Sequence, residues 1–404
     1  MELDLNWVRA QFPAFAEPSL DGWSFFENAG GSYACRQVID RLTRFYRERK
    51  VQPYAPYPAA RAGGEEMDEA RSRLAEMLGV AEAELSFGPS TTQNTYVLAQ
   101  AVRRWIGDRA IIVTDQDHEA NSGPWRRLAD EGIELRVWGI DPATGHLDPS
   151  ALDDLLPGAA VLCFPHCSNV VGEINDVAAI CAKARAAGVR TVVDGVSYAP
   201  HGLPHVGALG ADVYLFSTYK TYGPHQGIMT IREDWGRELP NQGHFFNGDT
   251  LYKRFTPAGP DHAQVAACAG ICDYLEALSA HHGGPKTGAA AARHAHDLMR
   301  SAEVERLRPL LAALADRNAA RLIGPAEPEV RAPTVAVALS EPGEAVAERL
   351  SGHRIMAGGG DFYAVRPLTA MGVDTTRGVL RLSFVHYTSP EDVSRLIDAL
   401  DAEI

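Results

Sequence analysis

Long apolar runs are missing from this chain: none approaches the ~20 residues that a bilayer-spanning helix requires, so a membrane span is not expected. Basic clusters are missing too. Against 38 Lys and Arg stand 52 Asp and Glu, a net charge of −14, and no basic run interleaved with aromatics tracks a phosphate backbone. Nucleic acid is therefore not an expected partner, although an anionic small molecule can still find a locally positive pocket. Cysteine is sparse, with six residues (Cys35, Cys163, Cys167, Cys181, Cys268, Cys272) mostly in apolar contexts where a free thiol behaves as a small core group. Cys163 and Cys167 have no second pair at zinc spacing, so no structural metal is expected. The stretch Met1 to Trp7 carries acids where a secretory leader carries basic residues and has no apolar run behind them, which makes the cytoplasm the expected location. Lysine is scarce as well. There are five (Lys50, Lys183, Lys220, Lys253, Lys286) in a chain that otherwise uses arginine for positive charge.

What is present describes an ordinary soluble globular protein: 404 residues, 46% hydrophobic and 22% charged, enough for two or three domains and a large core, with no internal repeat. A helix is expected over about 35–49, a Pro- and Gly-containing loop over 51–64, and a helix over 65–78. From Leu85 onward short apolar runs (85–87, 110–113, 133–137, 159–164, 190–193, 213–216) alternate with helical stretches such as 177–187. Such alternation implies right-handed crossovers and a mostly parallel sheet covered on both faces, whose ligands bind outside the carboxyl ends of the strands. A loop over 243–264 precedes a helix over about 265–280. After Gly283-Gly284-Pro285 come a long Ala-rich helix and a strand, helix, strand, helix pattern. The expected division is an N-terminal segment 1–30 packing on the small domain, a large domain 31–282 and a small α/β domain 283–404.

Polar residues gather where the strands end. Ser90, Thr91 and Thr92 open a helix, where backbone N–H groups and the helix dipole favour an anion, though Ser and Thr are also ordinary helix caps. His118 follows the second strand and can stack on a flat ring, move protons, or simply face solvent. Asn169 follows the strand over 159–164, to serve a ligand or hold its turn. Asp194 ends a buried strand, where a carboxylate is costly without a cationic partner. Lys220 follows Val213–Phe216; unlike arginine, a lysine can form an imine. Arg381, within Val379–Phe384, has the fork geometry for a carboxylate. Together they supply what pyridoxal phosphate needs: an imine-forming lysine, an acid for the pyridinium nitrogen, a phosphate cup and, for amino acid substrates, a carboxylate clamp.

The stretches Ser217-Thr218-Tyr219-Lys220-Thr221-Tyr222-Gly223-Pro224, Asp194-Gly195 with Pro200-His201, and Asp117-His118-Glu119-Ala120-Asn121 with Pro124-Trp125 resemble the class V aminotransferase and cysteine desulfurase group of pyridoxal phosphate enzymes. The resemblance runs from Asn28 to Ser383 and implies fold type I, the aspartate aminotransferase-like α/β architecture, and a homodimer with a shared active site. It implies that Lys220 carries the Schiff base, Asp194 pairs with the pyridine nitrogen and His118 stacks on the ring. It places Asn169 by the ring hydroxyl and the substrate carboxylate, Thr91, Thr92 and Ser217 on the phosphate with Ser90 beside them, and Arg381 on the substrate carboxylate, with Asn28, Ala29 and Gly30 also lining the substrate site. The chain departs from the pattern at four places. Tyr219 stands where the family has histidine, Ser197 where it has glutamine, and Pro260 where the partner subunit lends a threonine. The loop Gly358–Pro367 lacks the sulfur-carrying cysteine. Persulfide chemistry is accordingly not expected. The resemblance implies action at Cα of an amino acid, with β-elimination slightly ahead of transamination or epimerisation; Tyr33, Phe362, Tyr363 and Arg366 are further candidates for the pocket. A pyridoxal phosphate-binding regulator is the non-enzymatic alternative, but such proteins carry a DNA-binding domain for which this chain offers neither length nor basic surface.

Overall fold

The computed structural model describes residues 2–317 and 319–404. Thirteen strands, β1 (Ser24–Phe25), β2 (Leu85–Gly88), β3 (Ala110–Thr114), β4 (Leu135–Trp138), β5 (Ala159–Pro165), β6 (Arg190–Asp194), β7 (Val213–Ser217), β8 (Gly227–Ile231), β9 (Arg321–Leu322), β10 (Thr334–Ala338), β11 (Ile355–Met356), β12 (Gly358–Gly360) and β13 (Val379–Ser383), are identified among them. Seven form the main sheet in the order β2-β8-β7-β6-β5-β3-β4. All neighbours from β7 through β4 pair in parallel, while β8 runs opposite to both β7 and β2. The apolar runs of β3, β5 and β7 are wholly buried, as expected where helices cover both faces. A four-stranded antiparallel sheet, β12-β13-β10-β9, forms the second layer system.

Two expectations need correction. Residues 58–64 are not loop: a helix spans Pro58–Leu78. Its Gly63 and Gly64 are there for close packing, since a Cβ on Gly64 would sit 2.6 Å from the Tyr54 ring and one on Gly63 would touch Phe45 at 3.5 Å. The loop expected over 243–264 ends earlier, because a helix spans His262–Ala267. At the chain start β1 pairs with β11, and a bridge joins Glu27 to Ser383. Residues 24–25 therefore lie along β11 and residues 26–29 against the end of β13, and Ala29 and Gly30 reach the carboxyl ends of the main sheet. Among the described residues no helix is long and apolar enough to cross a membrane.

Candidate active site

The carboxyl ends of β3, β5, β6 and β7 open into a cavity of about 580 Å³, in the usual range for a small-molecule site. Its wall includes Thr91, Thr92, His118, Asn169, Asp194, Ser197, Ser217, Tyr219, Lys220, Arg381, Ala29 and Gly30. His118, Asn169, Asp194 and Lys220 meet because each stands at or just beyond the end of a strand of the main sheet, while Ala29, Gly30 and Arg381 come to them from outside that sheet.

Lys220 ends a 3-10 turn (Thr218–Lys220) that continues directly from β7. Thr218 fixes this turn by donating from N to the Gln226 carbonyl at 2.9 Å, and the lysine is almost entirely buried. Burial, reinforced by the charge of Arg381, pulls its ammonium down to about 8. Asp194 is the last residue of β6; one carboxylate oxygen accepts from Val196 N at 2.8 Å, its one side-chain hydrogen bond among the described residues. Burial pushes this acid up to about 6. A buried carboxylate so sparsely bonded is what a cationic ring nitrogen would satisfy.

His118 caps the helix Glu119–Arg126, its Nδ1 accepting from Ala120 N at 3.0 Å. Burial and then the charges of Lys220 and Arg381 push it down to about 3, so the imidazole is neutral and offers its face, not a charge. The helix Thr91–Trp105 points its N-terminus at the cavity, and Thr91 Oγ1 lies 2.7 Å from Ser217 Oγ. Gly227 makes this approach possible: a Cβ there would fall 2.4 Å from the Ser90 carbonyl carbon and 2.8 Å from Thr91 N. Backbone N–H groups, paired hydroxyls and a helix N-terminus form a phosphate-sized cradle. Asn169 donates from Nδ2 to the Phe362 carbonyl at 2.9 Å, while its Oδ1 is buried without a partner. The donor set therefore fits pyridoxal phosphate at every part.

Several expected site residues lie elsewhere. The Ser90 hydroxyl accepts from Gln93 N at 3.2 Å as a helix cap, and Ser90 lines a neighbouring groove with Pro260. Asn28 is turned away, its Oδ1 accepting from the Tyr387 hydroxyl at 2.5 Å. Tyr33 stacks on Phe25, and Arg366 pairs with Glu119 at 3.3 Å and does not form the wall. Phe362 and Tyr363 do line the cavity, in left-handed conformations (φ 52° and 57°). Tyr219 is on the wall with its ring stacked on His225 at 4.8 Å. Sequence reasoning missed Glu27, Tyr96, Glu119, Arg127 and Cys167 on the wall. Glu119 stands beside His118 in a stretch already singled out; Glu27, Tyr96 and Arg127 have no local signal, because only the meeting of distant segments puts them there. Cys167 does not supply the missing sulfur nucleophile: its thiol is directed at the Gly172 carbonyl at 3.3 Å, and burial pushes it up to about 12.

Asp117, one residue before His118, is fully buried, accepting from Thr114 Oγ1 at 2.9 Å and Asn121 Nδ2 at 3.0 Å, and burial pushes it up to about 7. Its folded value lies above the unfolded one, so its ionisation costs stability as pH rises towards 7 and costs nothing below about 4. Asp117→Asn should therefore stabilise the fold by about 1–3 kcal/mol at pH 8 and much less at pH 4. Urea unfolding at the two pH values checks this.

A lysine at the end of one strand, an acid at the end of the next and a cradle beside them, on a mostly parallel sheet, define a pyridoxal phosphate-dependent enzyme of fold type I. Residues 24–396 match the family described as aminotransferase class-V, and the chain belongs to that family. It is 32% identical over 410 residues to an aminotransferase-like protein, FGM3, of Gibberella zeae, covering 98% of this chain and 97% of that protein. It is 30% identical over 299 residues to a cysteine desulfurase of Serratia proteamaculans, covering 69% and 73%. Among solved structures, the apo cysteine desulfurase of Thermococcus onnurineus has the same fold, with a TM-score of 0.85 at 22% identity, covering 100% of this chain and 98% of that one.

Proposed function

We propose that this enzyme acts at Cα of a free amino acid and eliminates a β-substituent, in the manner of a carbon–sulfur lyase, without passing through a protein persulfide. The observation that carries the reading is the placement of Lys220, Asp194 and Arg381 on one cavity wall, with no reactive cysteine there. Pyridoxal phosphate, when bound, supplies an electron sink for the carbanion. Lys220 would hold it covalently, Thr91, Thr92 and Ser217 would hold its phosphate, Asp194 would keep a proton on the ring nitrogen and the neutral His118 would cover the ring. Arg381 and the Asn169 amide orient the substrate carboxylate. As a free, buried amine Lys220 would be a neutral base placed to remove the Cα proton. It then returns that proton to the departing group.

Transamination is the second reading, favoured by the aminotransferase-like protein that aligns along 98% of this chain. A scan of amino acids against the holoenzyme, with products identified by mass spectrometry, separates the two. A keto acid with ammonia and a released thiol is expected; accumulation of pyridoxamine phosphate instead would establish the transaminase. Because the free amine attacks the cofactor carbonyl, capture of added pyridoxal phosphate by the apoenzyme should accelerate about tenfold per unit as pH rises towards 8 and level off above it, as stopped-flow absorbance will show.

We propose further that residues 31–282 and 283–404 are the large and small domains, with residues 1–30 packing on the small one, and that the protein is a homodimer located in the cytoplasm. Phe245 and Phe246 are 90% and 70% exposed, and the groove of about 810 Å³ lined by Ser90, Thr92 and Pro260 lies beside the phosphate cradle. Sedimentation velocity should give a dimer, with Phe245→Asp/Phe246→Asp weakening it at least tenfold.

A further inference from the structure

Arg381 does not wait in the cavity as a bare cation. It lies on β13, between β12 and β10, with its side chain 4% exposed, and its Nη2 donates to Glu27 Oε1 at 2.5 Å. The Phe362 ring covers the guanidinium at 3.7 Å, and Nη1 reaches the Asn169 carbonyl at 3.4 Å. The Glu27 carboxylate also has a fitted niche. A Cβ on Gly30 would lie 2.8 Å from its Oε1, and a Cβ on Gly358, which faces Arg381 across the β12–β13 ladder, 2.6 Å from its Oε2. Two residues without side chains thus leave the room that this carboxylate fills. Its Oε2 is buried and has no hydrogen-bond partner, so Glu27 is held by one bond from Arg381 and is free to leave once that bond is replaced.

We infer that Glu27 is an internal competitor of the substrate carboxylate: it occupies Arg381 in the resting enzyme and must be displaced before a free amino acid can bind. This rests on the reading of Arg381 as the carboxylate clamp. The physical reason for the device is that an unpaired, buried guanidinium is costly, whereas a charge-assisted bond to Glu27 offsets part of that cost, Nε having no partner. The consequence is a lowered apparent affinity, by the fraction of molecules in which Arg381 is free. A substrate with the carboxylate must exchange one ion pair for another, and therefore gains less from it than a bare arginine would give. Glu27 is thus a specificity-determining residue that compresses the discrimination between an amino acid and its carboxamide.

The test uses holoenzyme and two probes, L-alanine and L-alaninamide, titrated by the change in cofactor absorbance, with calorimetric titration of propionate as a readout that needs no amine chemistry. In Glu27→Gln the ratio of apparent Kd for alaninamide to that for alanine should rise at least tenfold over the unaltered enzyme, with propionate binding tightened by a similar factor. Gly358→Ala, which crowds the carboxylate out of its niche without removing it, should move both quantities in the same direction. An unchanged or smaller ratio in Glu27→Gln, or no propionate binding to any of the proteins, overturns the inference. Arg381→Gln distinguishes its failure from that of the clamp. If that variant loses discrimination while Glu27→Gln matches the unaltered enzyme, the clamp stands and the competitor falls. If Arg381→Gln discriminates as the unaltered enzyme does, both fall.

Discussion

Lys220→Ala should abolish turnover and the imine absorbance together, leaving a protein that still folds. The lysine is nearly fully buried at the end of β7, yet its ammonium makes no hydrogen bond or ion pair within reach among the described residues, so alanine removes no structural bond. On the proposed chemistry it removes the covalent link to the cofactor and the base at Cα. A positioned general base alone contributes about 10²–10⁴-fold, and the lost imine adds to that, so the rate should fall by roughly 10³-fold or more. Absorbance spectra, turnover and far-ultraviolet circular dichroism check the three parts. A variant with full activity would refute the proposed chemistry, and restoration of some activity by an added small amine would support it.

The second large effect has two opposite signs. Asp194→Asn should lower turnover by roughly 10²–10⁴-fold, a magnitude typical for a positioned proton-holding or charge-stabilising group, because an amide does not keep a proton on the ring nitrogen. The same change should stabilise the apoenzyme. Burial raises the Asp194 carboxyl to about 6, above its unfolded value, so its ionisation costs stability between about pH 4 and 6 and the full cost persists above that. About two units correspond to about 3 kcal/mol at neutral pH, and the cost vanishes below about pH 4. Urea denaturation of apo protein at pH 4 and pH 8 should show the variant more stable only at the higher value. Loss of activity with a gain in stability marks a residue held for chemistry and not for the fold. A destabilised variant at pH 8 would contradict that assignment.

Some of this was legible in residue order alone. The alternation from Leu85 to Phe216 announced the parallel sheet, because strands buried on both faces are written as short continuous apolar runs. β8 escaped that reading of alternation: it follows β7 after a turn and runs antiparallel, with no helix between. Position was legible more often than direction. Thr91 and Ser90 are neighbours at one helix start, but the cap geometry turns Ser90 onto Gln93 N and leaves Thr91 beside Ser217. Asn28 and Ala29 are neighbours as well, and only the second faces the cavity, since the Asn28 amide is held by Tyr387.

The sequence by itself determined the cofactor class of this protein. One lysine and one acid at the ends of adjacent apolar runs, with a hydroxyl-bearing helix start, carry their meaning in residue type, because arginine cannot replace an imine-forming amine and nothing neutral can keep a pyridinium charged. The tertiary structure decided which distant charges meet beside that site. Glu27 and Arg381 are 354 residues apart and form one ion pair only because β1 and the segment after it lie against β11 and β13. Local pattern reports which face of a strand is apolar; it holds no record of which distant charge the fold brings into contact.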